Sequence, residues 1–482
     1  MKKIFPLIFI FSFLFIHTIK SQVIIDSISL VSTERSNILF SFNNTKLMAG
    51  KNVSDRYIVY YNSDTIFLNV QNAGIWTKKT VYIGANLQSA TLALNNDTIW
   101  VCWKEGIANA TIKARYTVNK GNTWNSILAV SPIGKVSAPS IFAASNGKIH
   151  FVWSKESTTD TTIYHNVYSQ GAFLPTPTAL SNLGKQGLWP SIIAIGDTIL
   201  CSWKENPLPS KVWFRSSFDG GKHWNQLPNQ PTTTLIASTK DPNLSYSFDA
   251  NSKTHYLYLA YDGSNQIYLQ RSTDFGNSWS NPSVISNTNK LSQFAHLESN
   301  NNGFVGISYE QRPIGASLFD DSKKDVWFTY STNWGSVGSF SLDTLAYSNN
   351  RFGSIFSSFN KIDNNNFYLA WLTNDTIKQE IKVYEKHVRI TIPTALAITE
   401  NTITNLKIYP NPFTNYATIE SKQYLNKADL IIYNMQGQKV AQTKNISGYT
   451  ITIQRNRLPV GTYFKTIVKG KKIIGINRFI II

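Results

Sequence analysis

Ser217-Phe218-Asp219-Gly220-Gly221-Lys222-His223-Trp224 and Ser272-Thr273-Asp274-Phe275-Gly276-Asn277-Ser278-Trp279 share one pattern, S-x-D-x-G-x-x-W, and it decides the fold. The chemistry is that of a tight turn. An Asp side chain accepts backbone N–H bonds inside the turn, Gly takes φ > 0, and Trp packs across the hairpin. Worn copies stand at Thr117-Val-Asn119-Lys-Gly121-Asn-Thr-Trp124, Asn72-Ala-Gly74-Ile-Trp76, Ser169-Gln-Gly171 and Ser331-Thr-Asn333-Trp-Gly335. Each closes a pair of strands.

Working outward, each turn follows an alternating strand and, before that, a strand ending in an aromatic residue: Asp97-Thr-Ile-Trp-Val-Cys-Trp103, Gly147-Lys-Ile-His-Phe-Val-Trp153 and Asp197-Thr-Ile-Leu-Cys-Ser-Trp203, with later copies ending at Tyr261, Tyr309 and Trp371. A period of about 40 to 50 residues is the mark of a repeat architecture. Six units begin near residues 65, 111, 161, 211, 265 and 324, each able to supply a four-stranded blade. A seventh closes from both ends: Ile381 to Val388 reads as an outer strand, and Arg35 to Phe42 matches the Arg351 to Ser358 strand of another unit. The expected fold is all-β, a six- or seven-bladed β-propeller with seven favoured, followed by a small Ig-like β-sandwich.

Composition agrees with strands: 13% of residues are aromatic, and only three are Met. Residues 1–21 read as a cleavable secretory signal, with Lys2 and Lys3, the apolar run Ile4 to Ile16, and a cut after Ser21. That run is shorter than the roughly 20 residues of a spanning helix, so no transmembrane anchor is expected in the mature form. The net charge of +18 is concentrated at the ends: +3 in the signal and +10 in residues 401–482, leaving +5 for 22–400. Without a central basic cluster, nucleic-acid binding is not expected. Cys102 and Cys201 stand one and two residues before their anchor tryptophans, which points them to opposite faces of equivalent strands, so they should not pair.

The turns resemble the Asp-box, or BNR-repeat, family of sialidase-like propellers, over roughly residues 23–390. In that family the box lies on the rim away from the ligand, which implies that Asp219 and Asp274 are not catalytic. Residues 22–390 are thus read as the propeller and 391–405 as a linker. Residues 406–482 differ in pattern from the repeats. Leu406-Lys-Ile-Tyr-Pro410-Asn411-Pro412-Phe, Leu430-Ile-Ile-Tyr433-Asn-Met-Gln-Gly437 and Leu458-Pro-Val-Gly461-Thr-Tyr463 are strand-and-turn blocks. They resemble the type A C-terminal sorting domain of type IX secretion cargo. The resemblance implies a type IX translocon and a sorting protease as partners, and a secreted or outer-membrane-surface destination.

A ligand site is expected at the blade end that collects the loops after the anchors and the segments before the inner strands. Those segments carry Glu105, Glu156, Glu205, Asp262 and Glu310 in the first set, and Arg35, Lys135, Lys185, Lys240, Lys290 and Arg351 in the second. Such a mouth suits a glycan or another anionic or polyhydroxylated ligand. Arg115, Arg215 and Arg271 precede turns at repeat positions and read as structural. A sialidase needs an arginine clamp, a Tyr–Glu nucleophile pair and an acid. Tyr309, Glu310 and Arg312 supply suitable types, but Arg35 and Arg56 lack the Arg-Ile-Pro context that opens sialidases. The chain therefore reads as a binding propeller rather than an enzyme, with a sialidase-like exo-glycosidase and a ligand-free structural repeat protein as alternatives. No sequence signature calls for a metal or cofactor.

Overall fold

Ile99-Trp100-Val101-Cys102-Trp103 is buried on both faces. A strand without polar alternation has to lie between two packed layers. It is the second strand of an antiparallel sheet ordered Leu87–Asn95, Thr98–Glu105, Thr111–Thr117, Leu128–Ala129, whose third strand alternates buried and half-buried residues. The computed structural model describes residues 22–34, 47–182, 184–206, 210–225, 240–317, 320–341, 344–347, 354–375, 378, 380–391, 406–434, 438–469 and 472–482. They fall into two compact units, one within 20–391 and one within 392–482.

In the first unit this meander recurs as seven blades among the described residues: 48–83, 87–129, 135–179, 186–217, 240–284, 290–347 and 354–391, numbered 1 to 7. Seven, not six, is the count. In blade 4 the three described strands are the inner ones. Blade 7 is completed by Gln22–Glu34, which pairs antiparallel with Glu380–Thr391 from Gln22 opposite Thr391 to Glu34 opposite Ile381. The expected closure is corrected here: residues 381–388 belong to the third strand, not the outer one, and the chain's first described strand is the outer one. Residues 35–42 lie outside the described residues. The ring is closed by side chains too, since one apolar cluster joins Ile58, Tyr60 and Leu68 of blade 1 to Tyr368, Leu372 and Val383 of blade 7.

Both full motifs build the same turn after the third strand of their blades. Ser217 Oγ donates to Asp219 Oδ1 (2.9 Å) and accepts from the Gly221 N–H (3.0 Å), while Asp219 Oδ1 accepts from the Lys222 and His223 N–H groups (3.1 and 2.9 Å). Ser272, Asp274, Gly276 and Ser278 repeat the arrangement. Gly221 has φ +89°, and a Cβ there would collide with the His165 ring of blade 3. The tryptophans do more than lock their own hairpins: Trp224 meets His165 edge-on at 5.1 Å and Trp279 meets Phe214 at 5.4 Å, each wedging into the preceding blade. The backbone N–H of His223 heads the contacts that hold the Asp219 carboxyl well below the ordinary carboxylate range. It is committed to the turn. Arg115, Arg215 and Arg271 are likewise structural, donating to the carbonyls of Val81 (2.8 Å), Leu180 (3.0 Å) and Trp334 (2.8 Å) in neighbouring blades.

A second device recurs on the inner strands. In six blades the register skips so that two inner-strand residues oppose one anchor aromatic: Ser89-Ala90 opposite Trp103, for example, and Phe294-Ala295 opposite Tyr309. These are β-bulges. The first bulge residue is left-handed at Ser89 (φ 55°), Trp189 (51°), Asp241 (50°) and Phe294 (57°). Cys102 and Cys201 are buried free thiols in separate clusters. No described helix is long and apolar enough to cross a membrane.

The second unit is a sheet ordered Lys407–Tyr409, Tyr416–Tyr433, Gly461–Lys469, Lys472–Ile481, with Lys439–Gln454 also paired to Tyr416–Tyr433. A bridge between Phe413 and Ile481 draws its ends together around Leu430, Ile432, Ile467 and Phe479.

Candidate functional site

Strand register determines which residues share the blade end opposite the motif turns. The first residues of an inner strand lie beside the last residues of the second: Leu87 opposite Glu105, Lys135 opposite Glu156, Gly187 opposite Glu205, Lys240 opposite Asp262, and Gln293 opposite Glu310. The cations and carboxylates singled out in the sequence therefore occupy one end of their blades. Arg35 and Arg351 lie outside the described residues.

Within that end the groups are held differently. Lys135 Nζ and Glu156 Oε1 form an exposed pair at 3.0 Å. Glu105 is half-buried, bound by Lys113 Nζ at 2.6 Å and the Tyr82 hydroxyl at 3.1 Å. Glu205 is buried, accepting from Trp203 Nε1 at 2.9 Å, and burial pushes its carboxyl up from the ordinary value. Lys185 is exposed near Glu205, and the Lys290 ammonium sits 4.2 Å from the Trp327 ring centroid. Asp262 and Glu310 are buried. Among the described groups, Lys135, Glu156 and Lys185 are the open members of the mouth.

Tyr309, Glu310 and Arg312 follow the alternation of their strand. Tyr309 points into the blade 5–6 core, while Glu310 and Arg312 share the other face. Arg312 Nη1 donates to Gln293 Oε1 (3.0 Å) and its Nε to the Ala316 carbonyl (3.3 Å). Tyr309 and Glu310 thus face opposite ways, unlike a hydroxyl and its activating base.

Sequence reasoning passed over the bulge residues. Trp189 holds the Lys204 ammonium 4.5 Å from its ring centroid, and Asp241 is buried in a left-handed conformation. Left-handed non-glycine residues store strain and gather at functional sites. The available signal was the pair of residues inserted opposite each anchor, which shows only once the register is known. Among the described residues no group of three or more His, Cys, Asp or Glu is placed to hold a metal.

The tail carries the strand-and-turn blocks read in the sequence. Tyr463 of the Leu-Pro-Val-Gly-Thr-Tyr block is buried and donates its hydroxyl to the Pro459 carbonyl at 2.8 Å, fastening that block onto itself. Residues 407–482 match the secretion system C-terminal sorting domain. This sorting domain indicates secretion and cell-surface export by the type IX machinery. No curated protein matches the chain. Among solved structures, the chain is similar to a protein of unknown function from Dyadobacter fermentans (10% identity, 76% of this chain and 99% of that one, TM-score 0.43). It is also similar to an ulvan lyase of a new polysaccharide lyase family (12%, 71% and 94%, 0.49) and to the sialidase of Trypanosoma rangeli (10%, 85% and 89%, 0.40). Likeness at this level bears on neither substrate nor mechanism.

Proposed function

We propose that the chain is an exported binding propeller: residues 1–21 take it across the inner membrane and are cut after Ser21, the sorting domain delivers it to the translocon and is removed, and the mouth binds an extracellular glycan. The reading is supported by strand register, which sets Lys135, Lys240 and Lys290 at the start of inner strands and Glu105, Glu156 and Glu205 at the end of second strands, at the same end of their respective blades. Interleaved donors and acceptors suit a polyhydroxylated chain bearing carboxylate or sulfate groups, because lysines attract the anion while carboxylates accept sugar hydroxyls.

The test is an array of neutral, uronate-bearing and sulfated oligosaccharides probed with the mature chain and with Lys135→Ala/Lys185→Ala. Charged glycans are expected to bind, and to lose about tenfold or more in affinity in the variant, corresponding to about 1.4 kcal/mol. No binding by the wild type would favour the ligand-free repeat protein. Turnover of a fluorogenic sialoside would favour the sialidase-like alternative.

A further inference from the structure

Below the bulges, the inner strands carry a polar belt around the axis. The position after the bulge is Thr91, Ser140, Ser191, Asn243, His296 and Ser358 in successive blades from 2 to 7, and all six are buried. Two members show the ordinary task of such a belt, which is to stitch one blade to the next. Ser191 Oγ accepts from the Leu244 N–H (3.3 Å) and Asn243 Oδ1 from the Leu297 N–H (2.8 Å). His296 and Ser140 depart from it. They are 6% and 5% exposed, and among the described residues neither side chain has a hydrogen-bond partner. Their polar atoms instead face open space, where water or a ligand group can bond them.

Both line one cavity of about 260 Å³. Its walls come from the inner strands of five consecutive blades, 3 to 7, which places it on the axis. Ser140 in blade 3 and His296 in blade 6 stand three blades apart on a seven-blade ring, so they approach the axis from nearly opposite sides. The walls run from the belt to the turn end of the strands, on the far side of the bulges from the mouth.

We propose that this axial chamber binds a single neutral sugar ring. A neutral imidazole offers one donor and one acceptor, and a serine hydroxyl offers both, which matches hydroxyl groups that donate and accept at once. Phe142, Tyr246 and Phe359 are also among the lining residues, which gives the walls apolar area beside the polar groups. The charged residues of the lining, Glu298 and Lys361, are of opposite sign, so the chamber has no net attraction for an anion. The volume is below the roughly 300–1,000 Å³ of drug-sized pockets, enough for one ring rather than a chain. Burial pushes His296 down to about 4, so its donor and acceptor persist through neutral pH. The chamber stands independently of the mouth, which is built from other residues at the other end.

Calorimetric titration of the mature chain with glucose, galactose, mannose and N-acetylglucosamine, and with glucuronate and inorganic phosphate as charged comparators, tests it. At least one neutral sugar is expected to bind with Kd of ~1 mM or tighter, without change between about pH 5.5 and 8. His296→Phe should abolish binding by filling the chamber. Ser140→Ala, which removes one hydroxyl and leaves the fold intact as checked by thermal unfolding, should weaken binding about fivefold to tenfold. The proposal fails if no neutral sugar binds, if Ser140→Ala binds as the wild type does, or if the charged comparators bind as well as the neutral sugars.

Discussion

Replacing Arg56 by Met should cost about 3–5 kcal/mol of stability, because it removes one partner from an ion pair buried at the seam where the ring closes. Arg56 and Glu385 are each 4% exposed, and Arg56 Nη2 lies 2.5 Å from Glu385 Oε1 across the blade 1–7 boundary. Arg56 also donates to the Val53 carbonyl and stacks over Tyr368 with its guanidinium 4.0 Å from the ring centroid. Burial already pushes the Glu385 carboxyl up, and Arg56 is the charge that opposes this shift. Without Arg56, the carboxylate either takes up a proton or stays charged and uncompensated. Beside this pair, Arg389 binds Asp26 through Nε (3.0 Å) and Nη2 (2.7 Å) within blade 7, and Trp76 of the worn blade 1 turn lies 5.5 Å from the Arg56 guanidinium. Urea unfolding measures the loss, and limited proteolysis should show residues 22–34 released first. Arg56→Met/Glu385→Met should recover most of the stability, since an apolar pair leaves no orphaned charge. A single-variant loss below about 1 kcal/mol would mean that the seam is held by strand pairing alone.

Acidification from about pH 7.5 to 5 should destabilise the propeller by several kcal/mol, and histidines rather than carboxylates should be responsible. His150 Nδ1 and His165 Nε2 share a hydrogen bond of 3.1 Å inside blade 3, with the rings stacked. Burial pushes His150 and His296 down to about 4 and His165 well below its ordinary value. A histidine kept neutral by the fold contributes fully above its unfolded pKa of about 6.5 and loses that contribution as pH falls towards the folded value. The cost is about 2 kcal/mol per histidine at pH 5. Glu205 and Glu385 act in the opposite sense: their pKa values are raised on folding, so they favour the folded state as pH falls and offset part of the loss. Asp219 and Asp274, held low by their turns, lose their contribution only at more acid pH. Chemical denaturation across this range should give a slope that His150→Leu/His165→Leu largely flattens. A stability that stays level to pH 5 would contradict the buried neutral state of these residues.

What the sequence revealed and what it hid follow from how local each feature is. The turns at Asp219 and Asp274 were legible because their bonds lie within five residues and need particular side chains. The anchor strands were legible because burial on both faces leaves an unbroken apolar run. The closing strand was not: Gln22-Val-Ile-Ile-Asp-Ser-Ile-Ser-Leu30 copies no other unit, and its partner lies more than 350 residues away. The charged mouth could be read as a set of positions, since register follows from repeat phase. The local pairing could not, and Glu205 under Trp203 differs from Glu156 beside Lys135 for reasons no repeat alignment contains. The bulges were hidden because backbone geometry defines them and side chains as different as Ser89, Trp189, Asp241 and Phe294 occupy them. The axial belt inherits that concealment, for only the bulge brings Ser140 and His296 to equivalent depth.

Export is the claim on which the rest depends, and it can be measured in a bacterium that possesses the type IX machinery. The full chain and a chain ending at residue 405 would be expressed side by side, and the propeller located by cell fractionation, immunoblotting of the medium and protease accessibility on intact cells. The full chain should appear on the surface or in the medium, shortened by the mass of the sorting domain, while the truncated chain stays folded and protected in the periplasm. A truncated chain exported as efficiently as the full one, or a full chain that stays in the periplasm of secretion-competent cells, would contradict the account.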